Sequence, residues 1–275
     1  MERIRRTIAM ARVSWDVLRA DRELILLPVI SWVFSAILLA LIIGPALRAG
    51  QGTWGATEYI LGGVAYFVVA FVAIFFNAAL VHAANQRLTG GDPTLRSALN
   101  GALDRAVDIA IWAAITATIS LILRAIEQRA GFVGVIISGL LGFAWTLMTF
   151  LVIPVLVIEG QSATSSMKRS AALFRDTWGE RVGAQVGFGL LGLVAAIPAI
   201  ALIALGIMVG GPFMVSAIVV GVAVIIAAAA LIAALSGIFQ TALYHYATTG
   251  EGIGDFSNHE LRAAFAEKES RRFGR

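Results

Sequence analysis

Apolar and polar positions change along this chain in long blocks. Six apolar runs, at about residues 24–47, 59–81, 107–126, 132–158, 183–209 and 213–243, are each long enough for a helix to cross a bilayer, which takes about 20 residues. Between the runs lie shorter stretches of helical periodicity. In residues 3–22, Ile4, Ile8, Ala11, Trp15 and Leu18 share one face and arginines occupy the others, the pattern of a helix lying in the membrane interface. Segments at about 93–105, 163–178 and 258–270 repeat it. Their apolar faces are Leu95, Leu99, Ala102 and Ala106 in the first, Met167, Ala171, Phe174 and Trp178 in the second, and Leu261 and Phe265 in the third.

Punctuation fits this division. Asp92-Pro93 reads as an N-cap and first helical residue, the cluster Ser162, Thr164, Ser165 and Ser166 as a helix start, and Ser257-x-x-Glu260 as a capping box. Pro154 and Pro198 predict bends, and Gly210-Gly211-Pro212 splits the uncharged stretch 182–250 in two. The basic N-terminus precedes an apolar run, as in a signal peptide. Residues 24–47 exceed an h-region of about 7–15 residues, so the run reads as an uncleaved first span.

The even-numbered runs end alike: Phe76-Asn77-Ala78-Ala79-Leu80 in the second, Phe239-Gln240-Thr241-Ala242-Leu243 in the sixth and, more weakly, Phe150-Leu151-Val152-Ile153-Pro154 in the fourth. An amphipathic segment follows each after about twenty residues. The expected fold is all-α: a polytopic transmembrane bundle of six spans, arranged as three repeated hairpins each preceded by an amphipathic helix. A single integral membrane domain covers residues 1–275. Repeats of this kind occur in transporters, and also in proteins that transport nothing.

Charge orients the bundle. With six spans, eighteen Lys and Arg fall on the side of the two termini and three, Arg48, Arg124 and Arg129, on the other. The positive-inside rule then puts both termini in the cytoplasm and the protein in the cytoplasmic (inner) membrane. Composition agrees: 59% of residues are hydrophobic and 14% charged, with mean hydropathy +0.86. The formal charge of +4 clusters beside apolar segments, which points to topology and anionic lipid, not nucleic acid. With no cysteine in the chain, disulfides and thiolate chemistry are excluded.

Leu18-Arg19-Ala20-Asp21-Arg22-Glu23-Leu24 with Pro28, Phe75-Phe76-Asn77-Ala78-Ala79-Leu80, and Pro154-Val155-Leu156-Val157-Ile158-Glu159 followed by Lys168-Arg169-Ser170, Phe174 and Thr177-Trp178-Gly179-Glu180 resemble an uncharacterised prokaryotic family of six-span membrane proteins. The resemblance implies fold and location. It implies no activity and no catalytic residues.

Polar residues near the basic side are the candidate chemistry. Asn77, Gln185 and Gln240 could line a pocket or serve as hydrogen-bonding glue between helices. His82 and His245 each follow a repeat phenylalanine by six residues; with His259 they lack the close spacing of a metal site, so no cofactor or metal is expected. Glu159 could face Lys168 or Arg169 as a gate or as a boundary charge. Gly183-x-x-x-Gly187 and Gly189-x-x-Gly192 supply small residues for helix packing, and Arg124 can snorkel to headgroups. No Walker loop, Gly-rich fingerprint, H-E-x-x-H or G-x-S-x-G is present, and no span carries a charge at its middle.

The expected role is therefore non-enzymatic, acting through membrane lipids or other membrane proteins, with Arg5, Arg6, Arg12, Lys168, Arg169 and Arg175 on anionic headgroups. The alternative is a transporter or flippase-like carrier of a small or lipidic molecule.

Overall fold

A computed structural model describes residues 14–19, 21–49, 55–129, 131–178, 187–209, 211–254 and 256. Residues 14–19 are helical (α1) and lead through a 3₁₀ turn, Arg22–Ile25, into α2 (Leu26–Ala49). There follow α3 (Ala56–Leu88), α4 (Leu95–Leu103), α5 (Ala106–Arg129), α6 (Gly131–Thr149), the single turn α7 (Val152–Pro154), a π-helical turn Val155–Glu159, α8 (Ala163–Trp178), α9 (Gly187–Val209) and α10 (Gly211–Thr249). No strand occurs among the described residues.

Five of these helices are long and apolar enough to cross a membrane: Glu23–Gly44, Ile60–Leu88, Ala106–Arg129, Gly134–Glu159 and Met214–Thr249. The fifth run of the sequence forms α9, of which Ile197–Val209 is a shorter apolar helix. The long helices pack as hairpins, α2 on α3, α5 on α6 and α9 on α10. Trp112 and Trp145 stack between α5 and α6 with centroids 5.8 Å apart. The hairpins meet through α3, which touches both α5 and α10. Along α3 and α10, Leu80 lies against Gly237 and Asn85 against His245. Contact residues therefore advance together, and the two helices run parallel.

The amphipathic helices α4 and α8 dock at one end, here termed the basic end, where they carry Arg96, Lys168, Arg169 and Arg175 on exposed faces. The principal core lies there. It joins Leu18, Leu24 and Leu27 to Ala78, Leu80 and Val81 of α3, Leu151 and Leu156 of the α7 region, Leu173 and Phe174 of α8, and Ile238 and Leu243 of α10. Toward the opposite end, large apolar side chains such as Phe34, Leu41, Ile60, Leu140, Val219 and Met208 are exposed. For a bilayer protein these are lipid-facing positions, since lipid tails are as apolar as leucine.

Local structure departs from the sequence reading in three places. First, Thr94 caps α4, not Asp92: its hydroxyl accepts from the Ser97 N–H at 3.1 Å, and Ser97 Oγ returns the bond at 3.0 Å. Second, the fourth run bends through a break at Phe150-Leu151, before Pro154 itself. Third, the buried stripe of α8 runs through Ala163, Ser166, Ser170, Leu173 and Phe174, so of the expected apolar face of Met167, Ala171, Phe174 and Trp178 it keeps Phe174, and it adds two serines. The 258–270 segment, with its Ser257 capping box, lies outside the described residues.

Candidate functional site

The polar side chains of the basic end form a layer that ties the interfacial helices to the long ones. It is built around the broken fourth run. Pro154 has no N–H, and its ring displaces the carbonyl four residues earlier from helical bonding. That carbonyl belongs to Phe150, and Gln240 Nε2 of α10 donates to it. Ser170 of α8 closes the rest of the break. Its hydroxyl donates to Met148 O at 2.8 Å and accepts from the Leu151 N–H at 3.0 Å. Backbone groups freed inside a membrane protein must find such partners. Gln240 and Ser170 supply them from two different helices.

Beyond the break, the π-turn ends at Gly160, whose φ of +68° is left-handed, a conformation that favours glycine as a helix C-cap. Arg105, at the start of α5, donates to Gly160 O at 3.0 Å. Its guanidinium also fills the space that a Cβ on residue 160 would need. One turn on, Asp108 Oδ1 accepts from the Ala163 N–H at 3.3 Å. A carboxylate from α5 thus sits where α8 presents unsatisfied N–H groups and the positive end of its dipole.

Glu159 is the centre of the layer. Gln161 Nε2 donates to its Oε2 at 2.6 Å, the Tyr244 hydroxyl to its Oε1 at 3.1 Å, and Arg169 Nε approaches the same oxygen at 3.4 Å. Next to Tyr244, His245 Nε2 lies 2.7 Å from Asn85 Oδ1. The amide oxygen can only accept, so that nitrogen carries the proton. Asp21 and Arg87 form a two-pronged ion pair across 66 residues of sequence. Arg87 also reaches Asp92 at 2.9 Å. This clamp fixes the turn after α1 to the last turn of α3.

Three of the candidate residues thus take part in bonds to α10 or from it, each with a different partner: Gln240 with Phe150, His245 with Asn85 of α3, and Glu159 with Tyr244. His82 is placed apart. Its ring packs against Gly101 of α4, where no Cβ would fit. Asn77 lies further up α3, with its buried Oδ1 unpartnered. Gln185, Gly183, His259, Arg5, Arg6 and Arg12 lie outside the described residues. Of the described lipid-contact candidates, Arg175 pairs with Asp176 at 3.1 Å and Arg169 with Glu159, while Lys168 is exposed. Arg124, near the opposite end, lies over the Tyr66 ring, 5.9 Å from its centroid, a cation–π contact. Among the described residues no three His, Asp or Glu gather as a metal site.

In the sequence, Arg87 counts only as a topology charge and Tyr244 only as an interfacial aromatic, and Asp21 and Ser170 carry no assigned role. Asp21 and Ser170 sit inside the quoted family-like pieces, which was the available signal. Their partners, 66 and 19 or more residues away, have no sequence signature.

A family of unknown function, DUF6159, matches residues 57–254, well over half of the chain. The chain belongs to this family. The DUF6159 segment contains every member of the polar layer except Asp21. No curated protein and no solved structure matches the chain.

Proposed function

We propose that this is a six-span protein of the cytoplasmic membrane with both termini in the cytoplasm, and that it acts without catalysis, through lipid or protein contacts at its basic end. In this reading α9 is the sixth span. The lysine and arginine excess on the side of α4 and α8 supports the orientation. The observation that carries the role is the docking of α4 and α8 onto the long helices through a layer whose polar groups largely bond to one another. Such a layer holds a fixed basic face at the headgroups and leaves few groups free for chemistry. Ala78, Ala79, Ala83, Ala84, Ala234 and Ala242 are buried in the core at this end, a close packing typical of membrane helices.

The test is purification in native lipid followed by mass spectrometry of everything retained. Enrichment of anionic lipid or of a specific membrane protein supports the reading; enrichment of a solute alone would sink it. One observation favours a carrier instead: the unpartnered Asn77 Oδ1 within α3. For that reading, Asn77→Ala should abolish flux of a retained solute in reconstituted vesicles while leaving the protein folded.

A further inference from the structure

Among the ion pairs of the described residues, the Arg169–Glu159 contact is the longest. It is long, 3.4 Å, and the two side chains are 45% and 20% exposed. Glu159 does not depend on it, because Gln161 and Tyr244 already donate to its two oxygens at 2.6 and 3.1 Å. An ion pair exposed to this degree is typically worth little. Removing Arg169 would leave the carboxylate hydrogen-bonded and the turn in place.

The position of Arg169 supplies a competitor for that weak bond. The next residue, Ser170, is bonded to the carbonyl of Met148, and the Met148 side chain is exposed on the surface of α6. In the membrane reading above, that surface meets lipid and α8 lies at its edge, with Lys168 exposed beside Arg169. The α8 N-terminus is already filled by Asp108, so an incoming anion would be met by the side chains of Lys168 and Arg169.

We propose that Lys168 and Arg169 form a binding site for the headgroup of an anionic phospholipid, and that Glu159 is its built-in competitor. In the absence of lipid Arg169 rests on Glu159; when a lipid phosphate arrives, Arg169 transfers to it and Glu159 keeps Gln161 and Tyr244. This rests on the lipid-contact reading above and adds the site and the group that sets its affinity.

The experiment counts phosphatidylglycerol and phosphatidylcholine retained by the full chain in native mass spectrometry, titrated from mixed micelles. A cation at an anionic surface contributes about fivefold in affinity, so Lys168→Gln with Arg169→Gln should weaken phosphatidylglycerol retention about 20- to 30-fold. Arg169→Lys should keep most of it. Glu159→Gln should strengthen retention about two- to fivefold, an opposite sign that loss of folding cannot imitate. An unchanged or weakened affinity in Glu159→Gln overturns the competitor. Full retention by the double variant, with wild type still preferring phosphatidylglycerol, overturns this site and leaves the general reading standing. No preference in wild type overturns both. Equal competition by millimolar inorganic phosphate would assign the site to a free anion and overturn the lipid.

Discussion

The two ends of this bundle carry the same helices and solve different problems. At the basic end, α3, α5 and α10 are wrapped by α1, α4, the α7 region and α8. Their side chains are buried, and backbone groups freed by a proline are bonded from neighbouring helices. Toward the opposite end the hairpins present isoleucine, valine and leucine outward. The difference follows from the solvent. In hydrocarbon, an exposed leucine costs nothing and a helix satisfies its own backbone. At the headgroups, the chain must shield apolar surface from water and find partners for interrupted helices, so it folds there as a water-soluble domain does.

That contrast can be broken by substitution, with stability read from thermal denaturation in detergent. The largest effect is expected for Leu156→Ala. Its side chain is fully buried, 0% exposed, and the cavity should cost about 2–4 kcal/mol. Arg87→Ala should follow at about 2–3 kcal/mol, because it strands the Asp21 carboxylate, only 9% exposed, without its partner; Asp21→Asn should cost less. Ser170→Ala leaves the Leu151 N–H and Met148 C=O unpaired and should cost about 1–2 kcal/mol. At the opposite end, Leu140→Ala, 66% exposed, should stay within about 0.5 kcal/mol. A Leu140→Ala cost equal to that of Leu156→Ala would erase the distinction between the ends.

The sequence displayed much of this architecture, and the reason is length. Apolar runs of 20 or more residues cannot hide, and the 163–178 segment was visible with its correct bounds because its charges fall on one face. The chemistry of the break was partly visible: a proline announces a disturbed carbonyl four residues back. That the relief comes from Gln240 and Ser170 was not readable, since it depends on which helices lie side by side. Periodicity gave α8 an apolar face through Met167 and Ala171. It missed the stripe through Ser166 and Ser170, because periodicity counts a serine as polar even where, like Ser170, it is buried and bonds to a broken backbone. Equivalence in the repeat does not fix a side chain's surroundings. His82 and His245 hold equivalent positions in sequence, yet one packs on a glycine and the other bonds an asparagine.

The bond from Gln240 to the Phe150 carbonyl has a consequence for how the protein is made. At roughly 5–20 residues per second, the ribosome delivers Gln240 some 5–18 seconds after Phe150, 90 residues earlier in the chain. During that interval the fourth helix sits in the translocon or bilayer without the bond that α10 brings to its interruption. Completion of that helix waits on the last one, so a nascent chain halted before α10 is expected to carry an open seam, a ready mark for membrane proteases. Pulse-labelled truncations ending before and after Gln240 should differ in half-life accordingly.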